Sequence, residues 1–363
     1  MARLWTPQLI GVFSYKLRMR AQSVARLLLI DCSRTARWRS WIAVGAVSMA
    51  IGLVGAFSTA VAIDPFGRLG LSKSEDVGFD EERPAMVSRA IDPQFNSVVI
   101  GNSASMPLTP QSLSKLTGQR FVTLSISGSG APASLATMTF FLAHHDDARI
   151  VVVALLPETW CDADYSERRP FPFWLYSSLT HYLWGLAGAT SFEMFKTVLA
   201  ARQTTKASHY SPYIAVDGYH KLIGPFEQAS YNDVNFVRSR LNGGSRPEKS
   251  TNPTNSFPAV QRLIDHIERP SRAFFVLLWT PRYISYTPAP GSAAEKTDRD
   301  CKLKLAQAAN SLPNAAILDW SGADRPANSD PANFFDPIHY RRSYAAQIEE
   351  DIARAIPIAV KGP

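Results

Sequence analysis

Cysteine is scarce in this chain: 363 residues hold three, none of them in Cys-x-x-Cys spacing, and no His-x-x-x-His pair accompanies them. A zinc site therefore has no sequence support, and the expectation is no metal and no cofactor. Internal repeats and extended low-complexity runs are also missing. The body of the chain lacks an excess of charge of either sign. The formal charge of +7 comes from residues 1–40, where Arg3, Lys16, Arg18, Arg20, Arg26, Arg34, Arg37 and Arg39 face Asp31 alone. Beyond residue 40 there are 30 basic and 30 acidic residues. A basic surface for nucleic acid is thereby excluded from the body, and no nucleic-acid partner is expected.

Charge is missing altogether from Trp41 to Ile63, WIAVGAVSMAIGLVGAFSTAVAI. As a helix, 23 residues reach about 35 Å, enough to cross the hydrocarbon core of a bilayer. Residues 1–40 thus read as a basic cytoplasmic tail and 41–63 as a transmembrane helix. Cations before the span and balanced charge after it place the remainder outside the cytoplasm. The expected location is a bacterial inner membrane, crossed once, with the folded part periplasmic. Ala60-Val61-Ala62 resembles a signal-peptidase site, but the run is longer than a usual signal core and the tail before it is long. Of the cysteines, Cys32 is expected inside; Cys161 and Cys301 share an oxidising compartment, where they either pair or stay free.

Residues 64–95 mix Gly, Pro and charge without periodicity and read as a linker, so the folded domain is expected over 96–357. Within it, apolar β-branched runs recur at 97–101 (SVVIG), 121–127 (FVTLSIS), 149–157 (RIVVVALLP), 273–281 (AFFVLLWTP) and 315–320 (AAILDW). Continuous rather than alternating hydrophobicity marks strands covered on both faces, hence a doubly wound, mostly parallel five-stranded α/β sheet. More than a hundred residues separate the third run from the fourth, so an insertion of extra helices is expected at about 160–262. It contains the aromatic stretch FPFWLYSSLTHYLWGL (171–186), which packs in the core, lines a cleft or touches the bilayer.

In such sheets ligands sit beyond the carboxyl ends of the strands. The first strand stops at Gly101, a residue free of ordinary backbone restrictions, and is followed at once by Asn102 and Ser103. The second ends in SISGSGAP, where Gly128, with Gly130 as its rival, brings a backbone N–H to the same rim. A serine needs a base and the base a carboxylate. After the last strand Asp336 and His339 stand three apart, on a helical or turn-like face, just before an amphipathic closing helix. Asp217 and His220 repeat the spacing inside the insertion, where no strand end presents them, and Ser105 is the nearest alternative nucleophile. The remaining histidines, His144, His145, His181, His209 and His266, share no spacing; Arg341 and Arg342 either attract an anionic substrate or are simply solvated.

These residues resemble the blocks of the SGNH or GDSL-type serine esterases and acyltransferases, and in particular the membrane-anchored members associated with bacterial envelope polysaccharide systems. Gly101-Asn102-Ser103 matches the first block, Gly128 loosely the second, and Asp336-Pro337-Ile338-His339 the last, over roughly residues 96–355. The resemblance implies a flavodoxin-like fold, Ser103 as nucleophile, His339 as base and Asp336 as its orienting carboxylate. It further implies Ser103 and Gly128 amides as an oxyanion hole, with Asn102 and Thr159 near the substrate. The implied substrate is an acylated carbohydrate or another ester, most often an acetyl ester of the envelope, and polysaccharide machinery is the implied partner. The third block departs: LLPETWCD stands where Gly-x-Asn-Asp is usual, and Thr159 or a backbone amide is the available substitute. Hydrolase and transferase fit equally, and a catalytically inactive carbohydrate-binding or scaffolding subunit is the alternative.

Overall fold

The computed structural model describes residues 37–71, 82–162, 165, 167, 169–188, 214–220, 229–243, 246–248, 252 and 256–362. Most of the basic tail and much of the expected insertion lie outside the described residues. The chain divides into two units, residues 1–60 and 61–363. A helix, α1 (Arg37–Ile63), begins in the first and ends in the second; it covers the charge-free run and starts four residues before it. Its apolar side chains point outward, Trp41 at 75% and Ile51 at 67% exposure. The core helix of a water-soluble domain would bury them. Among the described residues it is the helix long and apolar enough to cross a membrane.

The second unit is an α/β fold. Strands β1 (Ser97–Gly101), β2 (Phe121–Ser125), β3 (Ile150–Leu155), β4 (Phe274–Trp279) and β5 (Ala315–Asp319) form one sheet in the order β2-β1-β3-β4-β5. Every pairing is parallel. The first four strands are buried along their whole length because helices cover both faces, as their uninterrupted Val, Ile, Leu and Phe content requires. β5 closes one edge and is only partly covered. On one face Val99, Phe121, Val152, Val276 and Leu278 share a core with Leu113 of α3 (Pro110–Thr117) and with Tyr344, Ile348 and Ile352 of α10 (Arg342–Ala355). On the other lie α2 (Glu82–Ala90), α4 (Ala131–Leu142), α8 (Pro258–Ile267) and α9 (Ala293–Asn310). Between β3 and β4 the described α-helices are α5 (Pro157–Trp160), α6 (Leu179–Leu186), α7 (Val234–Asn242) and α8, which runs past residue 262 and carries the end of the expected insertion directly into β4.

Of the stretch expected as a linker, 64–95, residues 72–81 lie outside the described residues, while 64–68 and 83–90 are buried. Asp64 carboxylate oxygen Oδ2 accepts the amides of Leu69 and Leu71, and Phe66 is fully buried, so the chain turns into the domain at once. α2 buries Arg83 and Arg89 as well as its apolar residues. Arg83 donates to the Ser127 carbonyl (3.1 Å), and Arg89 to the carbonyls of Ala215 (2.9 Å) and Ala85 (2.7 Å). Burial pushes the Arg89 guanidinium down to about 10, against the opposing pull of Asp217. Charges that look solvent-bound in sequence are here structural donors.

Asp217 and His220 serve the open edge of the sheet. The Thr123 amide of β2 donates to the Asp217 carbonyl (2.8 Å), so residues 214–220 cap a strand that would otherwise present unpaired backbone groups. Gly218 is required there because a Cβ would stand 1.9 Å from the Thr123 carbonyl oxygen. Cys161, just after the central strand β3, and Cys301, in α9, are joined in a disulfide across 140 residues of sequence. Closing so long a loop restricts the unfolded chain, with a typical stabilisation of about 2–4 kcal/mol.

Candidate active site

β1 and β3 are neighbours although two helices and a strand separate them in sequence, so the connections leave in opposite directions between their carboxyl ends. That switch point is where a crevice opens in a doubly wound sheet. Ser103 stands there, first residue of a 3-10 turn (Ser103–Ser105) that follows β1 directly. Asn102 caps the turn: its Oδ1 accepts the Ala104 amide (2.9 Å). Its side chain is therefore used to shape the loop. Gly101 has an ordinary negative φ, contrary to the expectation of unusual backbone freedom. Its requirement is space, since a Cβ would meet Ser105 Oγ at 2.5 Å and the Ala154 Cβ at 3.0 Å. Ser105 is fully buried; its hydroxyl donates to the Asn102 carbonyl (2.7 Å) and lies 2.6 Å from Ser125 Oγ. It holds β1 to β2 and has no access to solvent.

Asp336 and His339 lie on neither a helix nor a plain loop but on a bulged two-stranded hairpin, β6 (Phe334–Asp336) and β7 (His339–Tyr340). Asp336 Oδ1 accepts the backbone amides of Ile338 (3.0 Å) and His339 (2.9 Å), which folds the tight turn. The same carboxylate receives His339 Nδ1 at 2.7 Å. A carboxylate only accepts, so Nδ1 carries the hydrogen and the neutral ring presents the lone pair of Nε2. That nitrogen lies 2.8 Å from Ser103 Oγ and accepts the hydroxyl proton. Both side chains of the Asp336–His339 pair are 15% exposed. The hairpin leans on the end of β4 through the Tyr283 amide, which donates to the Pro337 carbonyl (2.8 Å).

Burial alone would raise the Asp336 carboxyl, but the His339 hydrogen bond and charge and the two turn amides outweigh it and hold it below its ordinary value of 3.8. The sign follows from linkage. A carboxyl depressed in the folded state stabilises fully above its unfolded value, and that contribution is lost as pH falls through the lower folded value. Acid titration of stability between about pH 5 and 2, followed by circular dichroism, is expected to show a steeper loss for the wild type than for Asp336→Asn.

Gly128 adopts φ +66° in the turn after β2, and space beside it is open. Its N–H and that of Ser103 have no acceptor among the described residues. The rival Gly130 is placed differently. Its N–H donates to the Glu167 carboxylate (3.0 Å), and a Cβ on it would run into the Tyr165 ring. Glu167 also accepts the Ala133 amide, so it caps α4; burial raises its carboxyl despite these bonds and the nearby Arg83. Glu82 accepts the Ser127 amide from the other side of the turn. Glu82 and Glu167 thus shape the Gly128 turn, and neither was recognisable from sequence. Thr159 does not reach this group. It is buried, and its hydroxyl donates back to the Leu156 carbonyl (3.0 Å).

The rim beyond β3, β4 and β5 is braced by charge. Arg282, 2% exposed, donates to Glu158 and to Asp298, each at 3.0 Å. Lys302 joins Asp298 (3.0 Å) to Asp319 (3.3 Å). Burial would lower the Arg282 guanidinium, but its two carboxylates raise it instead. Arg341 and Arg342 are engaged as well, and do not form a solvated pair. Arg341 donates to the Tyr231 carbonyl and covers the Phe335 ring; Arg342 bonds Thr109 and Glu349. Among the described histidines, His144 meets Arg68, His145 the Ala90 carbonyl, His181 Ser178 and His266 Thr139; His209 lies outside the described residues. No cluster of three metal-ligating side chains occurs among the described residues.

No protein-family model matches the chain, and no curated protein matches it. Solved structures do match. One is described as a gut microbial diltiazem-metabolizing enzyme, at 12% identity and a TM-score of 0.36 over 72% of this chain. The chain spans 46% of that structure's length.

Proposed function

We propose that this chain is a membrane-anchored, extracytoplasmic serine esterase or O-acyltransferase of the SGNH type, acting on ester-linked acyl groups of cell-envelope carbohydrate. The observation that carries the reading is the unbroken relay Ser103–His339–Asp336 at the sheet's switch point, with links of 2.8 and 2.7 Å. Ser103 Oγ attacks the acyl carbonyl as its proton passes to His339 Nε2. Asp336 keeps the ring oriented and balances the imidazolium. The N–H groups of Ser103 and Gly128 receive the developing oxyanion. Collapse expels the alcohol, which takes the proton from Nε2 and leaves an acyl group on Ser103. Water or a sugar hydroxyl then enters by the reverse steps, giving hydrolysis or transfer. The Cys161–Cys301 bond supports an oxidising compartment, and α1 supports the anchor.

The second reading, an inactive carbohydrate-binding or scaffolding subunit, is favoured by one observation: the Thr159 hydroxyl is turned away to the Leu156 carbonyl, so Thr159 does not stand in for the usual asparagine. Treating the full chain with a fluorophosphonate probe and mapping the modified peptide separates the two. Label is expected on Ser103, lost in Ser103→Ala and sharply reduced in His339→Ala. Absence of label, or label elsewhere, overturns the enzyme.

A further inference from the structure

The aromatic stretch after β3 has two faces. On the inner one Phe66 sits with its ring 5.6 Å from Trp174 and 6.4 Å from Tyr182, and Tyr182 stacks on Trp174. Tyr182 lies on a short helix, α6 (Leu179–Leu186), which comes close because Gly185 has no Cβ to strike the Trp174 ring. The Tyr182 hydroxyl donates to Asp64 (3.4 Å), and Arg68 donates to the Ser177 carbonyl (3.2 Å). On the outer face Trp184 is 82% exposed, Leu179 50% and Phe173 43%; Leu71, held to Asp64 through its amide, is 65% exposed. Of the eight large apolar side chains exposed beyond Ile63 among the described residues, these are four. From Phe171 to Phe192 the sequence holds no Asp, Glu, Lys or Arg.

Chain continuity says what covers this face. Asp64 is the residue after Ile63, the last residue of the apolar helix, and Asp64, Phe66 and α6 are packed together. If the helix ends at a bilayer surface, α6 starts there too; it is only about 12 Å long. Trp and Leu without charge are the side chains that settle at the boundary between headgroups and acyl chains, where the indole N–H keeps a polar partner. We propose that α6 and the turn before it, with Phe173, Leu179 and Trp184 outward, are a second membrane contact that seats the folded domain on the lipid surface. The proposal rests on the reading of α1 as a membrane anchor.

The test uses the full chain reconstituted in phosphatidylcholine–phosphatidylglycerol vesicles containing a phospholipid with a photoactivated carbene precursor near the glycerol end of one acyl chain. After illumination, labelled peptides are mapped. Label is expected in 41–63 and also in 171–186. The second signal should be lost in Trp184→Glu and reduced in Leu179→Gln, both at exposed positions where the fold is unaffected. Label in 41–63 alone overturns the second contact and leaves the anchor. Label in neither segment overturns the anchor and this proposal with it. Label in 171–186 that persists in both variants shows adventitious proximity and overturns it as well.

Discussion

Replacing Ser103 with alanine is expected to lower kcat/KM for an acetylated chromogenic ester by a factor on the order of 10^4 to 10^6, and His339→Ala by a similar factor. Because the proposed mechanism uses the two groups in a single proton transfer across 2.8 Å, the double variant should be no worse than either single one. Asp336→Asn separates orientation from folding. Its Oδ1 still accepts the Ile338 and His339 amides, so the hairpin keeps its turn. Its NH2, however, faces Nδ1 as a donor and drives the hydrogen onto Nε2, which then cannot take the Ser103 proton. A fall on the order of 10^4 in kcat is expected, with the melting temperature lowered at neutral pH by the lost contribution of the carboxylate and matching the wild type more nearly in acid. Unaltered turnover in Ser103→Ala sinks the assignment outright.

The largest expected effect on stability is at Arg282. Its guanidinium is buried and holds two carboxylates, Glu158 and Asp298, whose side chains are 30% and 14% exposed. Arg282→Met preserves bulk but leaves both acids without their cation. Breaking such a cluster costs about 3–5 kcal/mol, and the lower end applies because Glu158 retains some water and Lys302 still pairs with Asp298. Combining Arg282→Met with Glu158→Gln and Asp298→Asn removes the stranded charge and should recover much of the loss. Denaturation of the three proteins measures this; a triple variant as unstable as the single one contradicts the electrostatic account. Arg282 precedes Tyr283, whose amide holds the Pro337 carbonyl, so the single variant should also loosen the hairpin and lower turnover.

Several local features were readable from residues alone because they depend on near neighbours in the chain. Val98-Val99-Ile100 and Ile150–Leu155 are apolar on both sides of a pleat, and only a strand covered twice can bury them; the parallel five-stranded sheet follows from that. The uncharged Trp41–Ile63 run and the pairing of Asp336 with His339 are equally local. Other features were hidden because their partners are far away. α2 was concealed by Arg83 and Arg89, whose acceptors lie 44 and 126 residues later. Glu167 gave no signal of capping α4, since nothing near it in sequence is a helix start. Asp217-x-x-His220 and Asp336-x-x-His339 are the same pattern, yet one closes a sheet edge and the other turns a hairpin toward Ser103.

Sequence by itself determined which segments must be covered, and by what period, because hydrophobic patterning follows from the chain's own repeat. Only the tertiary structure decided that residues 103 and 339 meet, that Gly128 and not Gly130 keeps its amide open, and that Asp64 opens the folded domain. Those outcomes depend on the order in which strands assemble and on distances between groups hundreds of residues apart, which no local pattern encodes.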